Sequence, residues 1–249
     1  MKRRFFSAFG LFAVLSAALA GGSGHDHGTG AITSTAGQAK LADYDIVRTQ
    51  VTSTGTHLVF QMQTSAKAGV MLPTATGKLA GSQVYSYVWP TSLDSSAVGF
   101  DKAQGVLALA ATAHPDFDDT PLYDENGDGN PKNDGNLWHS HWVVLVPDDA
   151  CGQGALKVKD IPAGAKPKLP ATWPNLPILI DSPGYQLDLR ANTVQIEVPL
   201  KELGFSKTFK YDGVTAALRV NANLHSPLLC VTDVFKVASG DLSLPGTIR

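Results

Sequence analysis

The sequence predicts an all-β protein, a single antiparallel β-sandwich of about eight to ten strands with long loops. Alternating runs rich in β-branched and aromatic residues recur along the chain, punctuated by Gly, Asn, Asp and Ser clusters. No segment keeps a helical period over three turns. Of 249 residues, 43% are hydrophobic and 17% charged, which supplies a core and excludes both general disorder and coiled coil.

The elements follow in order. Tyr44 to Val51 (YDIVRTQV) alternates, Ser53, Thr54 and Gly55 make a turn, and Thr56 to Gln63 (THLVFQMQ) alternates again, giving a hairpin. Val84 to Trp89 (VYSYVW), Gly105 to Thr112 and Leu137 to Val146 are the next strands. Pro115 to Asn136 is a long Asp, Asn and Gly-rich loop, of a length that is usually functional. Ile161 to Pro177, rich in Pro and Lys, reads as an ordered surface loop. Asn192 to Leu200 (NTVQIEVPL) is a strand, and Lys201 to Leu203 one helical turn stopped by Gly204. Val214 to Asn223 and Leu228 to Lys236 complete the set. The domain is expected over residues 38–249, behind a flexible His-containing tail at 21–37.

Residues 1–20 read as a secretory signal peptide: Lys2, Arg3 and Arg4, an apolar stretch from Phe5 to Leu15, then the small-x-small site Ala18, Leu19, Ala20. The expected location is periplasmic or secreted, with no membrane span after cleavage at Gly21. Losing three of 20 basic residues leaves 17 against 22 acidic, a net charge of −5. That excludes a phosphate-neutralising nucleic-acid binder and suits cations. In an oxidising compartment Cys151 and Cys230 form one disulfide, whose loop of about 80 residues is worth about 4 kcal/mol in the chain-entropy model.

Two motifs point to metal. Asp124, Asn126, Asp128, Gly129 and Asn130 follow the D-x-N-x-D-G-N spacing of a Ca2+ loop. The twelfth position is Gly135, where the EF-hand pattern has Glu, so Asp134, Asp118 or Asp119 would have to substitute. The competing reading is a loop whose Asx side chains cap their own backbone. After it, His139 and His141 share one face of a strand, with Trp138, Ser140 and Trp142 opposite. Two imidazoles so placed can start a Cu or Zn site, with His225 and His114 as candidates for a third ligand. His25, Asp26 and His27 in the tail could also gather such ions.

The strand-turn-strand YDIVRTQVTSTGTHLVFQMQ with the late NTVQIEVPLKELG resembles DOMON and family-9 carbohydrate-binding-module sandwiches. The resemblance implies a β-sandwich that binds haem, sugar or metal, and supplies no catalytic residue. Trp138 beside His139, with His225 downstream, is loosely similar to copper-binding surface proteins of methanotrophs of the MopE type. Those use two His and an oxidised Trp two residues before the first of them. Here position 140, two after Trp138, is Ser, so that Trp is not carried over.

The reading that follows is an exported metal-binding protein: Cu or Zn on the H-x-H strand, structural Ca2+ in the loop, and a periplasmic or outer-membrane metal-handling partner. One alternative is a non-catalytic haem or carbohydrate module, with Met62 and Met71 as iron ligands or Trp89, Trp142 and Trp173 stacking on sugars. Another is a metal-dependent hydrolase or lyase, with Glu125 or Asp116 as base. No G-x-S-x-G, H-E-x-x-H, P-loop, dinucleotide or C-x-x-C-H motif occurs.

Overall fold

A computed structural model describes residues 30–203 and 208–248. The signal-peptide and His-tail motifs, and Gly204, lie outside the described residues. Within them the chain is all-β and antiparallel. The long strands are β2 (Ile46–Ser53), β3 (His57–Thr64), β4 (Gln83–Pro90), β5 (Val106–Ala113), β6 (His139–Pro147), β10 (Thr193–Pro199), β12 (Val214–Val220) and β13 (Leu229–Val237). Each falls on a run expected from the sequence. Shorter strands complete the set: β1 (Ile32–Thr33), β7 (Leu156–Val158), β8 (Ile180–Asp181), β9 (Gln186–Arg190), β11 (Lys210–Tyr211) and β14 (Gly246–Thr247). Among the described residues no helix is long and apolar enough to cross a membrane.

One layer is an open sheet in the order β1-β2-β3-β10-β9. The other departs from a plain sandwich. Its order β5-β4-β12-β13-β7-β6 closes on itself through β5–β6, making a six-stranded barrel, with β8 added to β6. The β7–β13 seam rests on a single residue pair, Cys230 with Lys157. The expected Cys151–Cys230 disulfide braces that seam, with Cα atoms 5.4 Å apart. Lys157 adds ion pairs to Asp148 and Asp160.

Two cores result. Between the layers, Phe60, Met62, Val194 and Ile196 of the open sheet pack on Tyr87, Trp89, Leu109 and Trp142 from the barrel wall. Phe60 meets Trp89 and Trp142 edge-on at 5.9 and 6.1 Å between ring centroids. The second core is the barrel interior, with Val84, Val88, Ala110, Val143, Ala216 and Leu218. Strand alternation assigns residues to the two. Along β6, Trp142 and Val144 face the sheet while His141, Val143 and Leu145 face the barrel axis.

Burial corrects two expectations. Trp89 and Trp142 are fully buried in the inter-sheet core, so neither can stack on a sugar at the surface. Met62 lies in the same core, and Met71 is exposed. The segment read as tail also extends too far. Ile32 is fully buried and pairs with Thr49, and the Gly37 N–H donates to Asp45, so residues from 30 onward belong to the fold. A lone Ile among Gly, Ser and Thr gives no strand periodicity, which is why composition hid it.

Candidate metal centre

Sheet register builds the site. β5 and β6 pair so that Thr112 lies opposite His139 and Ala110 opposite His141. His114 is the next residue of β5's axis-facing set beyond Thr112, which places it diagonally across from His139. The chain then turns back, and Asp119 enters the same end of the barrel. His114, Asp119, His139 and His141 are all buried, with ligand atoms within 4.8 Å of one another.

The separations are those of ligands around one ion. Asp119 Oδ1 lies 3.1 Å from His114 Nε2, 3.1 Å from His139 Nε2 and 3.2 Å from His141 Nε2. His114 and His139 Nε2 are 3.0 Å apart. Four ligands held tetrahedrally about 2.0 Å from a metal are about 3.3 Å from each other. In a square plane one of the three distances from Asp119 would be about 4 Å; the three are equal within 0.1 Å.

Hydrogen bonds fix the imidazole tautomers. Nδ1 of His114 faces the Phe117 carbonyl at 2.9 Å, and Nδ1 of His139 faces the Leu137 carbonyl at 2.8 Å. A carbonyl only accepts, so both Nδ1 atoms carry the proton. Nδ1 of His141 faces the Asp181 carbonyl and the Ser182 hydroxyl, which donates its own proton to the Asp119 carbonyl at 2.7 Å. His141 is therefore also protonated at Nδ1. All three Nε2 atoms then carry lone pairs and gather within 3.2 Å of one carboxylate oxygen; the Thr112 hydroxyl, 3.1 Å from His139 Nε2, can donate to one of them, and the remaining oxygen and nitrogen repel unless a cation lies between. Asp119 Oδ1 and His141 Nε2 are buried without a hydrogen bond although 3.2 Å apart. Burial alone would raise the Asp119 pKa; positive charge at the His141 and His114 side of the cluster, the charge a bound cation supplies when the imidazoles are neutral, outweighs it and holds the carboxyl well below the usual range.

The acidic loop splints this centre. The Asp118 carboxylate accepts the Thr120 and Asp134 N–H groups at 2.9 and 3.0 Å. Asp134 in turn accepts the Glu125 N–H at 2.9 Å. The His114 N–H donates to the Gly135 carbonyl at 2.6 Å. Gly135 admits no side chain: a Cβ there would lie 1.7 Å from the Phe117 carbonyl oxygen. Asp118, Glu125 and Asp134 form a second group whose carboxylates could hold an ion. Burial pushes the Glu125 carboxyl up.

The expected ligands sort as follows. His139, His141 and His114 come together. His225 is exposed in the β12–β13 hairpin and is not part of the group. Of the acidic residues expected to hold Ca2+, Asp134 and the substitute Asp118 converge with Glu125, the substitute Asp119 joins the histidines, and Asp124 and Asp128 belong to neither group. Asp124 and Asp128 accept N–H groups of their own loop from Gly127, Gly129 and Asn130, as the side chain of Asn126 does from Asp128. Asn130 adds its own N–H and its carbonyl, which accepts the Lys132 N–H at 2.7 Å. Asp119, the fourth member of the histidine group, enters the sequence reading only as a spare oxygen for the calcium loop. Asp116, proposed as a base, is tied to Thr76 and Gly77 at the surface. No family model, no curated protein and no solved structure matches this chain.

Proposed function

We propose that this chain is an exported metal-binding protein whose resident ion is Zn2+, held by His114, Asp119, His139 and His141. The observation that carries the reading is the convergence of three Nε2 lone pairs on one buried carboxylate oxygen, with every Nδ1 committed to an acceptor. Three neutral imidazoles and a carboxylate suit zinc, and near-equal spacing argues against the tetragonal geometry of Cu2+. Four buried protein ligands describe a closed site, which favours a structural or storage role over hydrolysis or lysis. The ion would tie β5, β6 and the loop between them at one end of the barrel. Ca2+ among Asp118, Glu125 and Asp134 would stiffen the same loop. Export rests on the signal-peptide pattern and the disulfide.

The test is metal content by mass spectrometry on untagged protein purified without chelator. About one zinc per chain is expected, lost in His139→Ala/His141→Ala. Copper at one per chain would replace the zinc assignment, and no transition metal after reconstitution would reject the reading.

A further inference from the structure

The barrel interior beyond the metal centre is not filled. A chamber of about 230 Å3 runs along the axis from Asp119 and His141 to the opposite rim. Its walls are almost entirely carbon, from axis-facing residues such as Val84, Ala110, Val143, Ala216 and Leu218. An apolar void of this kind stays dry and takes apolar guests: a void of about 150 Å3 binds benzene. By that ratio the chamber accepts roughly nine or ten non-hydrogen atoms.

The chamber opens to solvent at apolar residues. Val106 at the start of β5, Val234 within β13 and Leu242 beyond it all line it and are 42%, 54% and 43% exposed. Exposed large apolar side chains gathered at a cavity mouth mark a binding site rather than ordinary surface. Leu242 and Leu244, both lining the chamber, hold φ angles of 59° and 53°. Bulky residues rarely adopt that left-handed backbone, and such strain concentrates at ligand sites.

We propose that the barrel is a binding chamber for a single aliphatic chain of about eight to ten carbons, inserted tail first through the Val106, Val234 and Leu242 rim. The tail ends against the histidine and aspartate centre, while a polar head stays at the rim in water. A chain is chosen over a ring system because the barrel has six strands, fewer than the eight whose interior side chains just fill, and the lining extends along it from Asp119 and His141 to Leu242 and Leu244. The inference goes beyond the metal reading and does not depend on it, since the chamber walls contain no metal ligand except at the inner end.

The test is calorimetric titration of the protein from Gly21 onward with hexan-1-ol, octan-1-ol, decan-1-ol and tetradecan-1-ol, in zinc-loaded and zinc-free forms. One-to-one binding strongest for octanol or decanol, in either form, is expected. Ala216→Leu/Ala110→Val fills the chamber and should weaken binding at least tenfold. Should that variant misfold, Val234→Asp, at an exposed position, should weaken binding several-fold by placing a charge at the mouth. No binding by any alcohol in both forms, no optimum with length, or unchanged affinity in the folded variants would overturn the proposal. Zinc content is measured on the same samples, so failure of the metal reading is a separate result.

Discussion

Gly135→Ala should disable the metal centre without replacing a ligand. The new Cβ would sit 1.7 Å from the Phe117 carbonyl oxygen and 2.7 Å from that of His114. An ordinary carbon–oxygen contact is about 3.3 Å, so the 114–117 turn must retreat by about 1.5 Å. The Phe117 carbonyl orients the His114 ring, and the Gly135 carbonyl holds the His114 N–H, so the ligand moves with the turn. Metal–ligand distances tolerate about 0.2 Å, and lost orienting contacts alone weaken metal binding about 10–100-fold. Overpacking backbone against backbone costs on the order of 3 kcal/mol. The assay is zinc affinity by chelator competition together with the urea midpoint. Gly127→Ala is the control, because its Cβ would meet nothing within 4 Å, although φ is +71°. It should lose about 1 kcal/mol to strain and keep its zinc affinity. Wild-type affinity and midpoint in Gly135→Ala would refute the splint argument.

Other outcomes follow from the same geometry. Asp119→Ala should abolish tight zinc binding, whereas His225→Ala should leave it unchanged; equal effects in a zinc titration would contradict the assigned ligand set. Replacing both Cys151 and Cys230 by Ser should cost about 4 kcal/mol in urea unfolding, and hydrogen exchange should rise first along β7, whose seam with β13 is one residue pair. The Asp45 carboxyl is buried beside Lys236 at 2.7 Å. Burial opposes its ionisation, but Lys236 and the Gly37 N–H overcome that and hold it at about 2, against an ordinary 3.8. Because the folded value is depressed, the stabilisation is complete above about pH 4 and is lost as pH falls through 2. It amounts to about 2 kcal/mol. Urea midpoints between pH 5 and pH 2 should fall less in Asp45→Asn than in wild type; parallel falls would refute this.

The strands were legible where one face is buried and the other wet. His57–Thr64 and Thr193–Pro199 alternate strictly between buried and half-buried residues, and the sequence pattern lies within about two residues of both. Barrel closure was not legible. Val106–Ala113 has apolar residues on both faces because one packs on the open sheet and the other on the barrel axis. Such a run looks like any doubly covered strand. The His139 and His141 pair was legible because period-two geometry is local. Asp119 was not, since its place depends on the 115–136 loop folding back, and it stands in a sequence crowded with other carboxylates. The calcium-like spacing at 124–130 was visible, but spacing cannot say whether the oxygens face an ion or their own N–H groups.

X-ray absorption at the zinc edge on the zinc-reconstituted protein tests the central claim most directly. The account predicts four nitrogen or oxygen ligands at about 2.0 Å, outer-shell scattering from three imidazoles, and no sulfur. Failure to retain zinc through dialysis, or an ion with six oxygen neighbours and no imidazole scattering, would contradict it.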